Sequence, residues 1–166
     1  MSRSAALCTL ALGFVLGACN LAPVYSGGGS SAPAMLGKQV TIAPIPDRAG
    51  FLVRQALLDR LGNPSEATRY RLEVELDDQI VGFGVRGDNS TARERRTLRA
   101  RYRLVDITNN AVLLDATAGS DAGIDRVSSN YAVVAAETTA LERLSVDIAR
   151  QITARLALYA RSARPS

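Results

Sequence analysis

The fold is decided by two stretches in which apolar and charged side chains alternate, YRLEVELD at residues 70–77 and RARYRL at residues 99–104. A period of two places one kind of side chain on each face of a β-strand. Between the stretches lies Arg86-Gly-Asp-Asn-Ser90, whose residue types favour a turn. The pattern predicts an antiparallel hairpin with strands over residues 69–85 and 91–107.

The register of this hairpin follows from the same side chains. If the turn is centred on Asp88, residues equally distant from it lie opposite each other, and a slip of one residue would destroy the match. Each matched pair contributes roughly 0.2–1 kcal/mol. The apolar pairs are Leu72 with Leu104, Val74 with Tyr102 and Leu76 with Ala100. The charged pairs are Glu73 with Arg103, Glu75 with Arg101 and Asp77 with Arg99.

The segments on either side of the hairpin complete one domain over residues 37–163. Before it we predict a short strand over 38–45 and a helix over 51–61, with Asp47 as the N-cap. After it we predict a turn at 108–110, a strand over 112–118, a loop over 120–129 and a helix over 131–161. The order β-α-β-β-β-α favours an α+β domain with two helices packed on one face of a four-stranded sheet.

The first residues resemble a bacterial lipoprotein signal peptide, which we place at residues 1–18. An apolar run from Ala5 to Leu16 is too short to cross a membrane, which takes roughly 20 apolar residues. Leu16-Gly-Ala-Cys19 then resembles a lipobox, in which the cysteine is lipidated and becomes the mature N-terminus. The alternative is an ordinary signal peptide followed by a chance cysteine. Cys8 lies inside the apolar run and would be removed.

Residues 19–36 are predicted to be the lipidated N-terminus and a flexible linker, because they are rich in Gly, Ser, Pro and Ala. Lipidation with two or more acyl chains would anchor the chain stably, whereas one chain binds only marginally. Position 20 is Asn and not Asp. In bacterial lipoproteins an Asp there often marks retention in the inner membrane, so the resemblance implies the outer membrane.

The residue inventory argues against an enzyme. The chain has no histidine, which excludes Ser-His-Asp triads, imidazole bases and His metal sites. It has no tryptophan and 5% aromatic residues, so a base-stacking platform for nucleic acid is not expected. No glycine-rich phosphate loop precedes a helix. We expect no catalytic residue, no cofactor, no metal and no nucleic-acid partner, although carboxylate-only calcium binding around residues 121–125 stays open.

A concentration of arginine is the one functional signal in the mature chain. Residues 86–103 contain seven arginines and two acidic residues. In the predicted register Arg93 and Arg95 face Phe83 and Val81, so they lack acidic partners. We predict an anion site of four such arginines, suited to the phosphates of a lipid because guanidinium groups bind phosphate through two bonds. Its members are Arg86, Arg93, Arg95 and Arg96. The alternative is a solvated strand face.

Three segments resemble the LptE family of lipopolysaccharide (LPS) assembly lipoproteins, in its alphaproteobacterial form. They are the mature start Cys19-Asn-Leu-Ala-Pro-Val-Tyr-Ser26, the strand, Asp-Arg turn and helix over residues 40–61, and the final helix over 131–156. The resemblance implies two helices on a four-stranded sheet, in agreement with the reading of the residues.

The family resemblance also implies a role. Such proteins sit inside the outer-membrane β-barrel LptD, assist its assembly, and bind LPS during its delivery to the cell surface. It implies that the chain is anchored through Cys19 on the periplasmic face of the outer membrane. The alternative is an auxiliary lipoprotein of another envelope lipid-transport complex of the ABC type.

Overall fold

The predicted hairpin forms the centre of the sheet in a computed structural model of the protein, which describes residues 38–64, 68–85 and 91–163. The predicted order of strands and helices is confirmed. The signal peptide, Cys19 and the linker lie outside the described residues. The elements are β1 (Val40–Ile42), α1 (Asp47–Leu61), β2 (Tyr70–Val85), β3 (Thr91–Asp106), β4 (Val112–Asp125) and α2 (Asn130–Ser162).

The four strands lie side by side in chain order. β1 runs parallel to β2, and the two other pairs are antiparallel. The hairpin register is confirmed over its length, from Tyr70 opposite Asp106 to Val85 opposite Thr91. The side-chain pattern determines this register because any other one would move apolar side chains out of the core.

Both helices cover one face of the sheet and leave the other face open. The apolar members of the hairpin pack into a single core with the helices, where Leu72 and Leu104 contact the cluster that contains Leu57 of α1 and Ile148 of α2. These four side chains are fully buried. We call the uncovered side the open face; it carries the odd-numbered residues of β2 from 73 to 83, of β3 from 93 to 103 and of β4 from 115 to 125.

Three elements differ from the prediction by more than one residue. Helix α1 begins at Asp47 and not at residue 51, and Asp47 does not cap it: Pro46 occupies the cap position and Asp47 has a φ of 65°. An aspartate tolerates this left-handed conformation better than most side chains do. β1 is shorter than the predicted 38–45, since Pro44 and Pro46 follow it.

The third difference concerns β4, which continues to Asp125 where a loop was predicted from residue 120. Its second half, GSDAGID, is poor in residues that favour strands. It is a strand because the second half of β3 offers a backbone ladder to pair with, from Leu98–Ser120 to Arg93–Asp125. A long-range partner therefore overrides the local preference.

Helix α2 spans 33 residues and begins at a capping serine. The Ser129 hydroxyl accepts a hydrogen bond from the Ala132 backbone N–H at 3.4 Å, as an N-cap serine does. Leu144, Ile148, Ile152 and Leu156 form its buried stripe at helical spacing. In the described ranges, no helix combines the length and the apolar character that crossing a bilayer requires.

A buried aspartate fixes the turn between β3 and β4. Asp106 accepts hydrogen bonds from the backbone N–H and the hydroxyl of Thr108, and from Arg69 Nε at 3.2 Å. The Asp106 N–H donates to the Ala111 carbonyl at 2.9 Å, which closes the turn. The bonds from Thr108, and then Arg69, hold the pKa of Asp106 below its ordinary value.

We expect an Asp106→Asn variant to be less stable than wild type at neutral pH, with a difference that shrinks in acid. The folded pKa of Asp106 lies below the ordinary 3.8, so its stabilisation is complete above that value and is lost as the pH falls through the folded pKa. Urea denaturation of both proteins over a pH series measures the difference. Asp59→Asn, at an exposed position of α1, is the control and should change stability by less than about 0.5 kcal/mol. A constant difference down to the lowest pH would contradict this assignment.

Candidate functional site

The arginines of β3 line the middle of the open face. Because side chains alternate along a strand, the odd-numbered members point away from the helices and the even-numbered Arg96 points toward them. The open-face members are Arg93, Arg95, Arg99, Arg101 and Arg103. Of the four predicted site residues, the structure thus places Arg93 and Arg95 on one face and Arg96 on the other. Arg86 lies outside the described residues.

Two of these arginines are neutralised by carboxylates on both sides of β3. Arg103 forms ion pairs with Glu73 at 3.2 Å, as predicted, and with Glu75 at 3.6 Å. Arg101 was predicted to pair with Glu75 and instead pairs with Asp115 of β4 at 2.8 Å. The Arg101–Asp115 hydrogen bonds raise the pKa of Arg101 and lower that of Asp115. Both groups therefore stay charged over the physiological pH range.

Arg93 has an acidic partner, contrary to the prediction. Its Nε lies 3.0 Å from Asp125 Oδ1 at the end of β4. The prediction was wrong because it places a loop at residues 120–129, where β4 continues to Asp125. This extension of β4 brings Asp125 opposite Arg93. Both side chains are largely exposed, so this pair contributes little to stability. The pair nevertheless neutralises Arg93, which the sequence pattern predicts to have no acidic partner.

Arg96 is also paired, and it belongs to the helix-covered side. Its guanidinium donates to both carboxylate oxygens of Asp78 and to the Glu137 carbonyl of α2 at 2.9 Å. The hydrogen bond with Asp78 raises the pKa of Arg96. The prediction of an unpartnered Arg96 is therefore wrong: this side chain ties the hairpin to α2.

Arg95 and Arg99 are different. Neither has a carboxylate oxygen within 4.0 Å in the portion of the chain that the structure describes. Arg95 lies over the Phe83 ring, 5.4 Å from its centroid, which is a cation–π contact. The predicted ion pair of Arg99 with Asp77 is not formed, because Asp77 accepts from the Gln79 amide at 3.0 and 3.1 Å instead.

Arg99 borders a groove of about 500 Å³ on this sheet. Its walls combine acidic and basic side chains with a stretch of bare backbone at Gly119. At the edge of β4, the Gln151 amide from α2 pairs with the N–H and carbonyl of Gly119 at 3.3 and 3.0 Å. This amide caps the strand edge where another chain could otherwise pair.

An ion pair with a buried carboxylate, near the start of β3, was not predicted. Glu94 is 6% exposed and accepts from Arg126 Nη1 at 2.7 Å, while its second oxygen is buried and has no hydrogen-bond partner among the described residues. In the sequence, Glu94 is one of only two acidic residues among the seven arginines of residues 86–103. Its even number, which places it on the helix side of β3, was the signal that could have identified it.

Metal ligands are not grouped in the described ranges. Across residues 38–64, 68–85 and 91–163, no three His, Cys, Asp or Glu side chains come together as a metal site would require. Asp121 and Asp125, considered above for calcium, are residues of β4.

Comparison with protein families gives one match. A family model described as LptE, lipopolysaccharide-assembly, matches residues 37–156, which is more than half of the chain. The matched region begins just before β1 and ends within α2. A comparison with curated proteins gives no significant match.

Solved structures of lipoproteins share the fold. A lipoprotein from Caulobacter crescentus CB15 is 27% identical, with a TM-score of 0.63 over 81% of this chain and 98% of that one. A lipoprotein B from Nitrosomonas europaea (16% identity, TM-score 0.58) covers 75% of this chain and 84% of its own. The minor lipoprotein from Acinetobacter baumannii (16% identity, TM-score 0.55) covers 73% and 93%. At 16% identity the last two similarities concern the fold alone.

Proposed function

Because the chain belongs to the LptE family of lipopolysaccharide-assembly proteins, we propose that it is the outer-membrane lipoprotein that plugs the LptD β-barrel and binds LPS on its way to the cell surface. The single observation that carries this proposal is the family match over residues 37–156. It favours this role over the alternative of an auxiliary lipoprotein in an ABC-type complex.

The membrane anchor is proposed to be Cys19. Its support is the apolar run and the small residues before it, together with the lipoprotein structures that share the fold. Residues 19–36 would then connect an acylated cysteine on the periplasmic face of the outer membrane to the domain that starts at residue 37. Asn20 supports the outer membrane as the destination.

The role inside a barrel is proposed to be structural and not enzymatic. The open face is balanced by cross-strand ion pairs such as Arg101–Asp115 and Arg93–Asp125. A polar sheet face of this kind suits a surface that meets the polar interior of a large barrel. The absence of histidine from the whole sequence removes the commonest general base.

LPS binding is proposed to involve the open-face arginines. Of the predicted site residues, Arg95 is available without breaking an ion pair. Arg93 would have to exchange Asp125 for a phosphate, and Arg96 would have to leave Asp78. Arg86 stays a proposed contact on the sequence alone. Arg95 therefore carries the LPS-binding proposal on this face.

We expect an affinity-tagged chain, extracted from membranes in mild detergent, to co-purify with the LptD barrel. Depletion of the protein should lower the amount of correctly assembled barrel and reduce LPS at the cell surface. The matched control is another tagged outer-membrane lipoprotein expressed at the same level. Normal LPS export after depletion, without barrel recovery, would contradict the proposal, and recovery with an inner-membrane transporter would select the ABC-type alternative.

A further inference from the structure

β4 places glycines opposite the two open-face arginines of β3 that have no carboxylate partner among the described residues. Arg95 lies opposite Gly123, and Arg99 lies opposite Gly119. The neutralised Arg93 lies opposite its partner Asp125. From residue 115 to 125 the open-face positions of β4 read Asp, Thr, Gly, Asp, Gly, Asp. The side chain missing at Gly123 leaves room beside Arg95, whereas the Arg99 guanidinium occupies the space at Gly119.

The two glycines differ in the space beside their backbone. A Cβ at Gly123 would meet no heavy atom within 4 Å in the described part of the molecule outside its chain neighbours. Arg95 leaves this space empty because its guanidinium lies over Phe83 on β2. At Gly119 a Cβ would come within 2.7 Å of Arg99 Nη1, so the bare backbone lets Arg99 lie flat against β4.

The two sites are set apart by strand geometry. Arg95 and Arg99 are four residues apart on β3, which separates their backbones by about 13 Å at 3.3 Å per residue. Between them Thr97 lies opposite Asp121, and Asp121 forms no ion pair within 4.0 Å with any described arginine. Its negative charge disfavours an anion midway between the two arginines. Asp77, opposite Arg99 on β2, accepts from the Gln79 amide.

We propose that Arg95 with Gly123, and Arg99 with Gly119, form two phosphate subsites for one doubly phosphorylated amphiphile. The proposal deepens, and rests on, LPS binding at this face. Each guanidinium presents paired N–H donors that suit a phosphate. Val81 and Phe83, beside Arg95, are apolar and 58% and 42% exposed, so they provide a surface for the hydrocarbon part of the ligand.

Binding of a synthetic probe tests the spacing directly. The probe is an α,ω-alkanediol bisphosphate long enough to span about 13 Å, compared with an alkyl monophosphate of equal length and with a shorter bisphosphate. Calorimetry on the full-length protein should show the long bisphosphate binding about tenfold tighter than either control, since a second charge-assisted contact is gained. Equal affinity for all three would overturn the proposal.

Variants assign the subsites. Arg95→Gln and Arg99→Gln should each lower the affinity for the long bisphosphate about tenfold, to the level of the monophosphate. Arg54→Gln, at an exposed position of helix α1, is the matched control and should change it less than about twofold. Gly123→Thr adds a side chain favoured in strands to open space, so it should weaken binding without lowering the thermal midpoint.

Failure of this inference and failure of the proposed function can be told apart. If wild type binds LPS and the Arg95→Gln and Arg99→Gln variants bind it equally tightly, the two subsites are overturned. The proposed LPS-assembly role would then remain intact. No binding of LPS by wild type, with the bisphosphate preference retained, would instead overturn the LPS part of the proposed function.

Discussion

A Cys19→Ser variant is expected to leave the membrane fraction and to appear as a soluble or unprocessed protein. If the cysteine thiol carries the acyl chains, serine removes the only attachment point the sequence predicts. Each buried methylene contributes about 0.8 kcal/mol to membrane binding, so losing the chains abolishes stable anchoring. Membrane fractionation and palmitate labelling measure this, and mass spectrometry of the mature N-terminus confirms the position.

Cys8→Ser is the matched control for the anchor. Cys8 lies in the apolar run that processing would remove, so its replacement should leave labelling and fractionation unchanged. A Cys19→Ser protein that is still labelled and membrane-bound would contradict the lipobox. Without the anchor, the local concentration at the barrel falls, so co-purification with LptD should weaken as well.

Replacing Leu156 by alanine is expected to lower the free energy of unfolding by about 3 kcal/mol. Leu156 is 1% exposed on α2 and packs in the cluster that joins both helices to the sheet. Shortening a buried leucine loses the transfer free energy of its methyl groups and leaves a cavity, at a cost of roughly 2–5 kcal/mol. Equilibrium denaturation in urea, with an unchanged m-value, is the measurement.

Leu158→Ala is the control two residues further along the same helix. Leu158 is 52% exposed, and it lies off the buried stripe of α2. The same chemical change there should cost less than about 1 kcal/mol. Equal losses at positions 156 and 158 would mean that α2 presents a different face to the sheet from the one described.

The hairpin shows what the sequence predicts well. Leu72, Val74 and Leu76 of β2 each have an apolar partner on β3, and a shift of one residue fails on both faces, so the sequence alone predicts the register. The order of the elements and the side of the sheet that the helices cover follow from similar periodic patterns. Both predictions are confirmed, because a buried face requires apolar residues at regular intervals over the whole length of a strand or helix.

The ion pairs of the β3 arginines could not be predicted from the hairpin alone. Counting charges across one hairpin assigned Arg101 to Glu75 and left Arg93 without a partner, whereas β4 supplies Asp115 and Asp125 to these two arginines. An exposed charged side chain can reach any of several neighbours at similar free energy. The carboxylate that each arginine pairs with therefore depends on the neighbouring strand β4, and the second half of β4 has few residues that favour strands.

The sequence by itself determined the strand register, the helix stripe of α2 and the membership of a lipoprotein family, because burial and targeting act on contiguous residues. Only the tertiary structure decided which of the described β3 arginines form ion pairs. Arg93 and Arg96 are neutralised by residues 32 and 18 positions away, while Arg95 and Arg99 face glycines of β4. Long-range neighbours set the electrostatics of a surface, and a local pattern does not contain them.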